Sequence, residues 1–245
     1  LYANSWLAEN TQFALLLGVV CGLLAGLLCY YVLTIKSDPR KSILLGIKNN
    51  QFYIVYQPVV NAQTLRITGV EVLMRWRHPV VGEIPPDIFI NLAETQQMIV
   101  PLTDHLLALI ARDAAVLKRI LPRGVKLGLN ISPAHLQADS FRDDMLRFAA
   151  ALPAGHFHVV LEVTERAMID KEKSMANFAW LHQHGFEIAI DDFGTGHSAL
   201  IYLERYNFDY LKIDRGFVQA IGTETVTSPV LDAVLTLSRR LKLMT

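Results

Sequence analysis

Asp191 and Asp192 close the apolar run Ile188-Ala189-Ile190 and lead into Phe193-Gly194-Thr195-Gly196. Two adjacent carboxylates repel each other, and a bound divalent cation relieves that repulsion. Neighbouring side chains on a strand point to opposite faces. Both carboxylates therefore reach one site only where the strand has ended and the backbone turns. Gly194 and Gly196 permit such a turn. An Asp-Asp pair on its own reads as a solvated turn or a helix cap, since a motif match is only a hypothesis. The remaining strand ends change that balance.

Glu71 lies within Val70–Leu73, Asn130 closes Lys126–Leu129, and Glu162 stands near the end of Val159–Val163 with Glu165 just beyond. Lys212 and Asp214 flank Ile213. The set is all oxygen donors with one ammonium, which suits Mg²⁺, Mn²⁺ or Ca²⁺ better than zinc. His156/His158 and His182/His184 are spaced by two and share no helix face, so they read as surface or loop histidines. Ser198 is not in a G-x-S-x-G elbow, which argues against a serine hydrolase.

Elements that bring these residues together follow from periodicity and breakers. Phe52–Val59 and Ile67–Trp76 read as strands, as do Val125–Ile131, Val159–Val163, Ile188–Asp191 and Tyr210–Ile213. Between them Pro86–Gln97, Leu102–Leu121, Ala134–Ala151, Lys171–His184 and Ser198–Tyr206 read as helices, and Thr227–Leu241 follows the last strand. Ser132-Pro133 has the form of an N-cap with proline at the first helical position, and Gly185 that of a stop. The β-then-α alternation predicts a parallel sheet wrapped by helices. A (β/α)8 barrel of roughly two hundred residues is near the lower size limit. A doubly wound open sheet competes, without a G-x-G-x-x-G after its first strand. In a parallel barrel all C-terminal strand ends meet on one face, where barrel enzymes place their chemistry.

The chain of 245 residues is 52% hydrophobic with a formal net charge of +0, which gives no support for a nucleic acid polymer as partner. The apolar excess centres on Phe13–Ile35, which holds no charged residue. It is long enough to cross a hydrocarbon core of about 30 Å as a helix. Lys36, Arg40 and Lys41 follow it, and the positive-inside tendency puts the remainder in the cytoplasm. The expected organisation is a periplasmic flank over 1–12, a transmembrane helix over 13–35, a linker over 36–47 and a catalytic-type domain over 48–245. That arrangement implies the lipid bilayer as a partner and the bacterial inner membrane as location. Cys21 and Cys29 lie inside the span about 12 Å of helical rise apart, too far to bond to each other. No cysteine lies outside it, which fits a reducing compartment.

Gly69-Val70-Glu71-Val72-Leu73-Met74-Arg75-Trp76 resembles the signature that names the EAL domains, with valine at the middle position. Tyr56-Gln57-Pro58, Asn130-Ile131-Ser132-Pro133, Glu162-Val163-Thr164-Glu165, Asp191-Asp192-Phe193-Gly194-Thr195-Gly196 and Leu211-Lys212-Ile213-Asp214 are similar to further EAL blocks, in the expected order. The resemblance runs from about Ile43 to the chain end. It implies a TIM-like (β/α) barrel that hydrolyses cyclic di-GMP to linear pGpG with two Mg²⁺ or Mn²⁺ ions. It further implies Glu71, Asn130, Glu162 and Asp191 as metal ligands and Asp192 as a ligand of the second ion. Lys212 resembles the lysine that holds the hydrolytic water, and Glu165 the residue that steadies the loop after Asp192. Gln57, Arg75 and Asp214 are the implied substrate contacts, Arg75 being suited to a phosphate fork. The family also implies a homodimer through the barrel. The apolar run upstream resembles the second span of proteins with a periplasmic CSS-motif sensor.

Val72 stands where the family has alanine, with its side chain expected to face away from Glu71. His197 and Ala199 replace the usual Tyr and Ser. The chain stops at Thr245 as a further strand begins near Leu243. The family's next block, with a glutamate, and a later glutamine are not in it. The expectation is a piece truncated at both ends, with a barrel incomplete at the C-terminus and inactive by itself, from a parent enzyme that is competent. A non-catalytic cyclic di-GMP receptor signalling through the membrane is the alternative, and an unrelated membrane-tethered metal hydrolase is a third reading. Metal-dependent turnover separates the first two, and selectivity for cyclic di-GMP excludes the third.

Overall fold

The computed structural model describes residues 13, 15–27, 38–168, 171–193, 203, 205–219 and 228–245. The chain divides into two compact units, Leu1–Leu45 and Gly46–Thr245. In the first, residues 13 and 15–27 are helical. The expected membrane span over 13–35 is not met: among the described residues no helix is long and apolar enough to cross a membrane. The remainder of the predicted span, Cys29 included, lies outside the described residues. The expected placement in the inner membrane and the bilayer as partner rested on that span, and nothing among the described residues supports them.

The second unit is built on one sheet. In chain order its strands are β1 (Phe52–Val60), β2 (Ile67–His78), β3 (Gly82–Ile84), β4 (Val125–Asn130), β5 (Phe157–Thr164), β6 (Glu187–Phe193) and β7 (Tyr210–Ile213). They lie in the order β1-β2-β4-β5-β6-β7, with β3 beside β2. From β2 to β7 the pairings β2–β4, β4–β5, β5–β6 and β6–β7 are all parallel, with helices described in the connections as far as β6. This is the wall of a TIM-like barrel and not a doubly wound sheet, whose strand order reverses.

The first pair departs from the all-parallel expectation, because β1 and β2 are antiparallel. Residues 61–66 are too few for the crossover a parallel pair needs. Instead the Asn61 side chain accepts from the backbone N–H of Gln63 at 3.0 Å and of Thr64 at 2.8 Å. This Asx-type turn folds the chain back on itself.

Strand parity then sorts the side chains. On β2, Val70, Val72, Met74 and Trp76 are buried on the face packed beneath the helices. Gly69, Glu71, Leu73 and Arg75 occupy the other face. Trp76 stacks on Phe52 at 4.8 Å between ring centroids, and Phe89 meets both edge-on. Full burial of each such side chain stabilises by about 1.5–3 kcal/mol.

Three helices differ from the reading of the sequence, the first being Pro39–Lys48, which occupies most of the expected linker over 36–47. The long helix runs Ile99–Ile120 and begins before Leu102. Pro101 sits in its first turn, where a missing N–H removes no helical hydrogen bond. The expected helix over 134–151 is broken into Pro133–Leu136 and Phe141–Ala151. The Ser132 cap is as expected, its hydroxyl accepting from His135 N at 3.1 Å. The expected Ser198–Tyr206 helix falls largely outside the described residues. Near the end, Met244 forms a parallel bridge with Tyr210, where a strand was expected to begin.

Candidate functional site

Lys212 is the hub of the site. Its ammonium donates to Glu162 Oε2 in a short contact and to Asp191 Oδ2 at 2.9 Å, and lies 3.5 Å from Glu71 Oε2. Asn130 Nδ2 donates to Glu71 Oε1 at 3.2 Å. Sheet register explains the convergence. Glu71 pairs with Gly128, Asn130 with Glu162, and Thr164 with Asp191. Glu71, Asn130, Glu162, Asp191 and Lys212 thus share the inward face near the C-terminal strand ends. Gly128 stands beside the Glu162 carboxylate, and a Cβ there would lie 2.5 Å from Oε1. Its glycine marks a close approach.

Asp192 reaches the site by a route the sequence did not suggest. β6 does not end at Asp191 but continues to Phe193, with a register irregularity between Ile190 and Phe193. Asp192 adopts a left-handed backbone, φ 53°, and its N–H is capped by Asp191 Oδ1 at 2.9 Å. A bulge of this kind re-aims a side chain, so both aspartates line the same cleft. Gly194 and Gly196 lie outside the described residues.

Electrostatics records an excess of negative charge. Burial pushes the Glu162 carboxyl up to about 7; Lys212 opposes this, while Glu71 and Asp191 reinforce it. Asp192 is raised by burial, by Asp191 and by Asp214. For Lys212 burial acts to lower the pKa, but Glu162 and Asp191 together outweigh it and hold the ammonium above its usual value. Lys212 is therefore a fixed cation and a hydrogen-bond donor at neutral pH.

The remaining predicted residues are more spread. Arg75 and Glu165 line an open cleft of about 880 Å³ together with Asn130, Glu162, Asp191 and Asp192. Arg75 donates to Met74 O at 2.9 Å. Glu165 opens the 3₁₀ turn Glu165–Met168 that follows β5. Gln57 stands directly opposite Glu71 on the hairpin but outside the cleft lining. Asp214 accepts from Gly216 N at 2.8 Å, so it caps the short helix Arg215–Gln219. Arg166, beside Glu165, also lines the cleft and was not singled out. Its position after a strand-end glutamate was the available signal.

The donor set fits a hard divalent cation. Three carboxylates and a carboxamide oxygen come from adjacent strands, Glu71 from within β2 and the others from near strand ends, and one ammonium does not balance their charge. In the described conformation the carboxylates turn to Lys212, and among the described residues no group of three acidic, histidine or cysteine side chains forms a ready cage.

Comparison with known proteins places this geometry. The EAL domain family model matches residues 40–245. The chain is 61% identical over 245 residues to the Escherichia coli protein named probable cyclic di-GMP phosphodiesterase PdeN, covering all of this chain and 47% of that one. It is 38% identical over 201 residues to cyclic di-GMP phosphodiesterase PdeL of the same organism, covering 82% of this chain and 56% of that one. The chain spans about half the length of these curated relatives. Among solved structures, a PaMucR phosphodiesterase in complex with c-di-GMP matches with a TM-score of 0.76 and 31% identity, covering 84% of both chains.

Proposed function

The chain belongs to the EAL domain family, and we propose that it supplies the catalytic domain of a phosphodiesterase that hydrolyses cyclic di-GMP to linear pGpG. The observation that carries the reading is the gathering of Glu71, Glu162 and Asp191 about Lys212, with Asn130 bonded to Glu71. Relatives and a solved structure named for cyclic di-GMP support the substrate.

Glu71, Asn130, Glu162 and Asp191 would hold one Mg²⁺ or Mn²⁺ ion, and Asp192 would join Asp191 toward a second. Such a pair supplies an acidified water and neutralises charge on the phosphodiester. The chain's own residues do the rest. Lys212, held protonated, donates hydrogen bonds and so orients the attacking water and the carboxylates instead of acting as a base. Arg75, at the cleft wall, is placed to pair with phosphate oxygens. Glu165 holds the turn beyond β5 that borders Asp191 and Asp192. Water oxygen bonds to phosphorus, the P–O3′ bond breaks, and the water proton passes to the leaving 3′-oxygen. A linear dinucleotide with a 5′-phosphate results.

The test is chromatographic. Cyclic di-GMP incubated with the full-length protein and Mg²⁺ or Mn²⁺ is expected to give pGpG, and Glu71→Gln is expected to abolish it. Tight binding without turnover in the full-length protein overturns the reading and favours a receptor.

A further inference from the structure

His135 is fully buried and Asp144 is 4% exposed, and neither belongs to the chemistry above. His135 Nε2 donates to Asp144 Oδ2 at 3.1 Å. Ser140 Oγ donates to the same oxygen at 2.8 Å, and Arg147 closes on the other. Arg147 also reaches Asp104 on the long helix at 3.4 Å. The Phe141 ring meets the imidazole edge-on, 5.4 Å between centroids. A carboxylate this deeply buried costs several kcal/mol unless its partners stay in place, so the cluster is a rigid point in the core.

The segment it holds leads straight to the site. His135 sits in Pro133–Leu136, a helix of one turn that cannot sustain itself. From the other side Asn177 Nδ2 donates to Leu136 O at 2.7 Å. At its start, Ile131 N donates to Glu162 O at 2.9 Å, directly after Asn130. Asn130 is itself exposed and ends its strand, so its carboxamide depends on this segment for its aim.

We propose that His135, anchored on Asp144, is a positioning residue for Asn130. The buried imidazole fixes the 131–136 segment, keeps Asn130 Nδ2 on Glu71 and so leaves the amide oxygen for a divalent cation. This rests on the reading of Asn130 as a metal ligand. Groups that support a metal ligand through hydrogen bonds change affinity by about 10–100-fold when removed.

The experiment is a double-mutant cycle read by Mn²⁺ affinity, with free Mn²⁺ followed by electron paramagnetic resonance on the full chain. His135→Leu is expected to weaken binding by about tenfold, and His135→Gln, which can still donate to Asp144, by no more than about threefold. In an Asn130→Ala background His135→Leu is expected to add nothing. In cation-free protein, His135→Leu should speed amide exchange across 130–136. Equal losses in both backgrounds, or unchanged exchange, overturn the proposal. If His135→Leu does not fold, Ser140→Ala removes one hydrogen bond from Asp144 and runs the same cycle. Coupled Mn²⁺ binding in a protein that never hydrolyses cyclic di-GMP sinks the phosphodiesterase reading and leaves the anchor standing.

Discussion

Without divalent cations, folding stability should fall as pH rises from about 4.5 to about 7, and Glu162 should be the cause. Its carboxyl is 7% exposed, and burial, with Glu71 and Asp191 nearby, pushes it from 4.5 up to about 7 despite Lys212. A carboxyl whose pKa is raised by folding holds its proton more tightly in the folded state. Its stabilising contribution is complete below the unfolded value and is lost as pH climbs through the folded one. Between the two values the folded state keeps a proton the unfolded chain has released, so stability falls by about 1.4 kcal/mol per pH unit, about 3 kcal/mol in all. That is a large share of the roughly 5–15 kcal/mol of a typical domain. Urea denaturation in chelator at about pH 5 and about pH 8 reads the effect, with Glu162→Gln as control. Wild type should lose about 2.5 kcal/mol more than the variant over that range, since part of the loss falls below about pH 5. Saturating Mn²⁺ should reverse the trend, since a cation binds the carboxylate and not the acid. Identical pH slopes for wild type and Glu162→Gln in chelator would refute the reasoning.

Lys212→Met strips the shared cation from three carboxylates. Breaking a buried pair costs about 3–5 kcal/mol, and with 31% of the lysine side chain exposed we expect about 2 kcal/mol in chelator, largely restored by Mn²⁺, with hydrolysis down at least about 100-fold. Asp192→Gly should raise the unfolding free energy by about 1 kcal/mol, because glycine takes φ 53° freely, while turnover falls at least about tenfold; a stability loss with turnover intact would contradict the assigned conformation and role. Trp76→Ala should cost about 3–5 kcal/mol in thermal denaturation, and a cost below about 1 kcal/mol would contradict the Phe52–Trp76–Phe89 packing.

Most of the strand ends were legible because an apolar run meets a polar residue, as at Asn130 and Asp191, and the parallel register needs only their order. Glu71, Asn130, Glu162, Asp191 and Lys212 were therefore found by type and place. The antiparallel first pair was not read as such, although the six residues from Asn61 to Arg66 forbid a crossover and said so. The break between Leu136 and Phe141 was overlooked although Asp139-Ser140 signals it, Ser140 standing at the N-cap of the second helix with Asp143 and Asp144 in its first turn. Asp192 was placed in a turn after the strand, whereas a bulge inside the strand does the same work; a one-residue irregularity leaves no periodic trace. The apolar run over 13–35 gave the opposite lesson. Among the described residues no helix of it is long and apolar enough to cross a membrane, and hydropathy alone does not establish a span.

The signature at β2 shows why the site withstands change at some positions and not others. Glu71 points inward and meets Lys212, while Val72, its neighbour, is 2% exposed on the opposite face. Strand alternation separates the two completely, so the valine in place of alanine acts on packing beneath the helices and leaves the carboxylate alone. The same parity holds on β4, where Leu127 and Leu129 pack outward and Gly128 and Asn130 face in. Substitutions at outward positions should thus trade in stability, by cavity or overpacking, with the chemistry unchanged while the fold persists. Inward substitutions should change both, because Glu71, Glu162 and Asp191 are mostly buried around Lys212, so they bear on stability as well as fixing the charge a cation must meet. A register slip of one residue would exchange the two sets and destroy both, which makes the sheet pairing itself the condition on which the site depends.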